Sequence, residues 1–232
     1  LLLSCSQPTA EEYKIDLLLS QMTLEEKAGQ MLNLGLPSLL TGGYWEERNE
    51  VVFDSLRFKK YIEKLNVGSV HNTPHPHYLP DTATWHYIVK TIQDASLKKT
   101  RIGIPVLYGI DNIHGANYVK GSVMFPHQIG LAATRNTDLV AQTAEITSYE
   151  SRAASMPWTY NPNADVAFSP LWGRMAESFG EDPFVVSQMT EAHTLGSQGN
   201  TLSDSTRTAV CVKHYLGYGA GTNGKDRANA VI

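Results

Sequence analysis

The chain has 232 residues, 42% of them hydrophobic and 18% charged, a globular composition that suits one ordinary domain or two small ones and excludes a disordered tail or a coiled coil. Nineteen lysines and arginines against 23 acidic residues give a net charge of −4, so nothing suggests a nucleic-acid surface. Two cysteines cannot staple a fold of this size, and no apolar run of about 18 residues is present to span a bilayer.

The chain opens on Leu1-Leu2-Leu3-Ser4-Cys5, an apolar run followed by a small residue and a cysteine. That arrangement resembles a bacterial lipobox, with lipidation at Cys5 and residues 1–12 as signal remnant and tether. It implies a periplasmic or outer-membrane lipoprotein of a bacterium, touching the membrane only through that anchor; a chance Leu-rich start with an ordinary cysteine is the alternative. A first residue other than methionine, and a last residue, Ile232, that follows no terminating signal, are read as the ends of a fragment. Residues 16–34 predict an amphipathic helix interrupted near Met22-Thr23. Thr23 caps its second part, and Glu26 completes a capping box.

A Gly-rich aromatic loop follows at 41–45, then a helix over 58–65 running into the strand Val67-Gly68-Ser69-Val70. A His-rich loop occupies 71–80 and a helix 82–97. The β-branched run 104–110 ends in Asp111. A helix over 137–154 takes Asn136 or Thr137 as its cap. Residues 156–161 read as a short strand, 183–199 as a helix, and 208–212 as a last buried strand ending in Lys213-His214, with Cys211 a small core hydrophobe. Such alternation of short apolar strands with helices predicts an α/β fold with a parallel sheet buried on both faces. Polar groups fall at the carboxyl ends of three strands, at Asp111, at 161–165 and at Lys213-His214, where barrels and doubly wound sheets both place their sites. No Gly-x-Gly-x-x-Gly follows the first strand and no Walker loop occurs, so nucleotide binding has no support.

Four groups can carry chemistry. Asp111, between Gly109 and Gly115, is a strand-end carboxylate with room for a ligand to approach the backbone, or a cap on the following turn. Arg174, after Trp172-Gly173, offers a rigid fork for adjacent hydroxyls or a carboxylate, and Trp172 an apolar face for a sugar to stack on. Glu181-Asp182-Pro183 reads as a helix start. Lys213 and His214 reach one ligand only where their strand is ending, because neighbours on an extended strand point to opposite faces. His71, His75 and His77 invite a zinc site, but Pro74 and Pro76 break any helix that would align them. No cofactor is expected.

The stretch from Ser20 to Met31, reading Ser-Gln-Met-Thr-Leu-Glu-Glu-Lys-Ala-Gly-Gln-Met, resembles the opening helix of glycoside hydrolase family 3, the β-glucosidase-like enzymes. The likeness continues through Gly109-Ile110-Asp111-Asn112-Ile113-His114-Gly115 and Phe125-Pro126-His127-Gln128-Ile129-Gly130. It then runs through Trp172-Gly173-Arg174, Glu177-Ser178-Phe179-Gly180-Glu181-Asp182-Pro183 and Lys213-His214-Tyr215. Gly224-Lys225-Asp226-Arg227 resembles a variant found in large exported members. Where the family has an aspartate or arginine shortly before Trp-Gly-Arg, this chain reads Val166-Ala167-Phe168-Ser169-Pro170-Leu171, which leaves fine specificity open.

The resemblance implies a partial (β/α)8 TIM-like barrel over 13–232 that hydrolyses terminal β-D-glucosidic bonds of oligosaccharides or aryl glucosides with retention. Asp111, Arg174, Lys213 and His214 match the residues that hold a terminal sugar in the −1 subsite. The family's Asp nucleophile and Glu acid/base are expected beyond Ile232, so that Asp111, Asp165, Glu177 and Asp226 are not promoted to either role and the fragment is expected to be inactive. A non-catalytic sugar-binding lipoprotein is the alternative, and a metal-dependent hydrolase built on His71, His75 and His77 a third.

Overall fold

The structure is a computed structural model that describes residues 9–43, 46 and 50–230; Cys5, the lipidation site expected from sequence, and the loop aromatics Tyr44 and Trp45 lie outside the described residues. Among the described residues there are five parallel strands: β1 (Asn33–Gly35), β2 (Ser69–His71), β3 (Leu107–Ile110), β4 (Trp158–Thr159) and β5 (Ala209–Val210). They lie side by side in chain order, each hydrogen-bonded to the next in sequence. A doubly wound sheet reverses its order at a switch point, whereas an unbroken 1-2-3-4-5 order is how a barrel winds. Among the described residues, no helix is long and apolar enough to cross a membrane.

The first helical segment is two helices, α1 (Ala10–Gln21) and α2 (Leu24–Gln30), each opened by a Thr/Glu capping box. The box at Thr23 and Glu26 matches expectation, but α1 starts well before residue 16, and α2 stops at Gln30 to make way for β1, which the periodicity does not reveal. Arg101 closes over the Thr23 box, its Nε donating to Glu26 Oε1 at 3.0 Å. Asp54 caps α3 (Ser55–Phe58), which widens into a π-helical turn at Lys59–Lys64. Asp81 caps α4 (Thr82–Lys99). A short helix, α5 (Gln128–Ala133), comes next, unheralded by sequence because six residues are too few to show a period. Asn136 then caps α6 (Thr137–Ala153). The last helix, α7 (Pro183–Gln198), begins on an Asp182 cap with Pro183 in its first turn, as the acidic-Pro signature predicts.

Period two along the strands decides which side chains face the helices. Val70, Tyr108 and Ile110 point to that side and pack with Leu36, Ile62, Trp85, Ile88 and Ile92, each at most 1% exposed. Every large apolar side chain buried there stabilises the fold by about 1.5–3 kcal/mol. The opposite face carries Asn33, Ser69, His71, Leu107, Gly109 and Trp158, in register across the strands. Leu107 on that face is 43% exposed. The expectation of a sheet buried on both faces is thus corrected: one face is the core, and the other is a partly open concave surface. The terminal strand differs from expectation too. β5 is two residues long and half-buried, Val212 is 49% exposed and Cys211 is a half-buried free thiol, so this segment borders the core without belonging to it.

The helices α6 and α7 pack closely, with Val140 of the first against a second core cluster containing Val186 and Met189 of the second. His193 of α7 is buried, near Ser197 Oγ. Burial pushes its ring down to about 4. A histidine kept neutral when folded takes up its proton only in the unfolded chain between about pH 6.5 and 4, so stability falls as pH drops through that window and levels off below it. The loss from this group is expected to reach about 3 kcal/mol. Urea unfolding of the wild type and His193→Gln between pH 7 and 4 checks this: the variant is expected to lose the steeper part of the slope, and parallel curves would contradict it.

Candidate active site

The carboxyl ends of β3, β4 and β5 converge on one polar cluster. Asp111 follows the last residue of β3, and Lys213 lies three residues past β5. Lys213 Nζ donates to Asp111 Oδ1 at 2.6 Å, with the two side chains 18% and 25% exposed. β5 ends before Lys213, so the alternation rule no longer separates Lys213 from His214, and both side chains enter the cluster. The peptide bonds Lys213–His214 and Asn161–Pro162 are cis.

His214 stands on Asp165, whose carboxylate takes the ring Nδ1 at 2.7 Å and the His214 backbone N–H at 3.3 Å. A carboxylate only accepts, so Nδ1 carries the proton of that bond, and the other ring nitrogen, Nε2, is left toward Arg174. Arg174 Nη1 meets that nitrogen at 3.3 Å. The same Nη1 donates to Tyr218 Oη at 3.2 Å, and Tyr218 in turn donates to Asp226. The other edge of the guanidinium is forked on Glu177, with Nε to Oε1 at 3.0 Å and Nη2 to Oε2. The Glu177 pairing, followed by the Tyr218 contact, raises the Arg174 guanidinium further above its already high value. Burial alone would raise the Glu177 carboxyl. Arg174, a hydrogen bond from Asn163 and the charge of Lys213 outweigh it and hold the carboxyl below the usual range.

Beside Asp111 the concave face is lined by Tyr160, Asn33 and His71. Asn33 Nδ2 donates to Tyr160 Oη at 3.3 Å, and His71 Nδ1 lies 2.9 Å from Asn33 Oδ1, which only accepts. Burial pushes the Tyr160 hydroxyl up to about 12, and burial lowers His71 against the opposing charge of Asp111.

All four expected binding residues, Asp111, Arg174, Lys213 and His214, therefore meet in one place. Several accompanying readings do not stand. The space above Gly109 is filled by the protein itself: a Cβ there would lie 2.4 Å from Tyr160 Oη and 2.8 Å from a Trp158 ring carbon. At Gly115 a Cβ would meet Val123 O at 2.3 Å. These glycines admit aromatic rings and a neighbouring loop, not a ligand. Trp172 is 2% exposed and packs edge-on against Tyr218, so it buttresses Arg174's partner instead of offering a stacking platform. Of the three histidines, His71 faces Asn33 and Tyr160, while His75 is buried, accepts the His77 backbone N–H and meets the His77 ring edge-on at 5.5 Å. Among the described residues, no group of three or more His, Cys, Asp or Glu is arranged to hold a metal ion. Asp165, Tyr160 and Tyr218 escape sequence reasoning as site residues; only their position just past β4 and β5 marks the segments that carry them.

Donors and acceptors alternating around a half-buried strand-end cluster suit a neutral polyol better than a phosphate or a metal. The class defined by fold and site is thus a barrel-type α/β protein with a polar cluster at the carboxyl ends of its strands. The chain belongs to glycosyl hydrolase family 3, matching the description "Glycosyl hydrolase family 3 N terminal domain" over residues 23–231. It is 36% identical to a lysosomal beta glucosidase of Dictyostelium discoideum, with 97% of this chain and 28% of that protein covered. It is 30% identical to a periplasmic beta-glucosidase of Salmonella typhimurium, over 94% of this chain and 25% of that one. The fold superposes on the exo-1,3/1,4-beta-glucanase of a Pseudoalteromonas species with a TM-score of 0.81 and 29% identity, covering 98% of this chain and 27% of that one. The chain thus spans roughly a quarter of the length of these relatives.

Gly109→Ala tests the aromatic packing beside Asp111. Forcing Tyr160 and Trp158 apart is expected to cost about 1–3 kcal/mol in urea unfolding, and an unchanged midpoint would contradict the assignment.

Proposed function

We propose that this chain is the sugar-binding part of a retaining glycoside hydrolase that removes terminal β-D-glucose from oligosaccharides or aryl glucosides. The observation that carries the reading is the convergence of Asp111, Lys213, Arg174 and His214 at the carboxyl ends of β3–β5. Asp111 accepts from sugar hydroxyls, while Lys213 and Arg174 donate to their oxygens. Names of relatives support the substrate class: beta-glucosidases from Dictyostelium and Salmonella, and a Listeria innocua beta-glucosidase whose structures hold glucose, isofagomine or, in a mutant, laminaribiose.

In this reading the 232 residues build the −1 subsite and the reacting carboxyl groups come from elsewhere in the longer protein. The site's own carboxylates are already engaged: Asp111 by Lys213, Asp165 by His214, Glu177 by Arg174 and Asn163, Asp226 by Tyr218. In a retaining enzyme the nucleophile and the acid/base stand about 5–5.5 Å apart across the anomeric carbon. We also propose a location outside the bacterial cytoplasm, supported by the relatives named periplasmic.

The full-length protein carrying Asp111→Ala tests this on an aryl β-glucoside. Loss of the acceptor leaves Lys213 and sugar donors unpaired, and kcat/KM is expected to fall by about 3 kcal/mol or more, roughly a hundredfold or greater change. Near-normal kcat/KM would remove Asp111 from the subsite, and a wild-type protein inert on β-glucosides would overturn the reading.

A further inference from the structure

We propose that Gln128 and Asn163 are positioning residues that aim Arg174 at the ligand, acting through Glu177; the proposal rests on the sugar-binding reading of the site. Gln128 opens α5 and Asn163 lies on the loop after β4; each is 2% exposed. The Gln128 side chain grips the Asn163 backbone from both sides. Its Oε1 accepts the Asn163 N–H at 2.9 Å, and its Nε2 donates to the Asn163 carbonyl at 2.9 Å. A side-chain amide thus satisfies the Asn163 backbone N–H and C=O as a neighbouring strand would. The Asn163 side chain is then aimed at Glu177, with Nδ2 donating to Oε2 at 2.9 Å.

Glu177 uses both oxygens on Arg174, so the orientation of the carboxylate sets the plane of the guanidinium. With Nε and Nη2 forked on Glu177, Nη1 is left directed at His214 and Tyr218. The loop serves Lys213 as well. Residues 163 and 213 form an isolated parallel bridge, with Lys213 N donating to Pro162 O at 3.1 Å and Ala164 N to Lys213 O at 2.6 Å. One buried residue therefore ties two of the site's cations to α5, and neither Gln128 nor Asn163 contacts the Asp111 carboxylate that would take the sugar.

Asn163→Asp keeps the shape and replaces the donor by a carboxyl facing Glu177. The charged groups around Glu177 are Arg174 from its own turn and Lys213 from the loop after β5. At pH 8 two carboxylates repel and Glu177 turns from its fork; at pH 5 a shared proton restores the bond. In the full-length protein, glucose affinity by calorimetry, taken relative to the wild type at the same pH, is expected to weaken about tenfold or more at pH 8 and largely recover at pH 5. Gln128→Met, which keeps bulk and removes both amide contacts, is expected to weaken glucose binding at both pH values with no recovery. Thermal unfolding of each variant separates lost positioning from lost fold.

The Arg174 Nε–H resonance in ¹⁵N-arginine spectra, assigned by its loss in Arg174→Lys, reports the fork without any sugar. It is expected to shift or broaden in folded Asn163→Asp at pH 8 and return at pH 5. Wild-type glucose affinity in the variant, pH-independent loss, or an unmoved Arg174 resonance overturns the relay and leaves the sugar reading intact. A wild-type protein that binds no glucose overturns the sugar reading, and the resonance still decides the relay.

Discussion

The ion pair between Lys213 and Asp111 is the contact on which the site depends. It joins residues 102 positions apart in the chain, one past β3 and one past β5, and so bridges the intervening strand β4. Both side chains are largely withdrawn from water. Removing a charge from water is costly, and each member of the pair offsets that cost for the other only while the geometry holds. What results is a fixed acceptor beside a fixed donor, which a sugar hydroxyl can bridge with little rearrangement of either. Preorganised groups of this kind spend little of a ligand's binding energy on ordering the protein.

Behind this pair the remaining nitrogen bases follow one rule: each has a carboxylate at its back. Asp165 orients His214, and Glu177 forks Arg174. The acids are the more buried members and the bases the more exposed: the side chain of Asp165 is 1% exposed and that of His214 28%. Such layering presents nitrogen to the pocket and keeps acidic oxygens turned toward the protein, which argues against the acids as reacting groups. On the concave face of the sheet Tyr160 lies across Gly109 to meet Asn33, so strands β1, β3 and β4 are tied together where Asp111 begins.

Sequence reveals local features and strand-end chemistry, and hides long-range partners. The box at Thr23 and Glu26, the caps at Asn136 and Asp182, and the alternation of strands with helices are set by neighbours within four residues, so they are legible. Asp111, Arg174, Lys213 and His214 are legible as a group only through family resemblance. Asp165 and Glu177 look like ordinary loop acids until the fold brings His214 from 49 positions away and Asn163 from 14. The glycine at 109 reads as room for a ligand because a sequence cannot show which ring fills the space. β1 and α5 stay hidden because three and six residues carry no measurable period.

The most direct measurement is a crystal structure of the full-length protein with glucose at saturating concentration. One ordered sugar is expected on the cluster at the carboxyl ends of β3–β5, with its hydroxyls within hydrogen-bond distance of both Asp111 and Lys213. A sugar bound elsewhere, or a Lys213–Asp111 pair left bare under saturating glucose, would contradict the sugar-binding assignment.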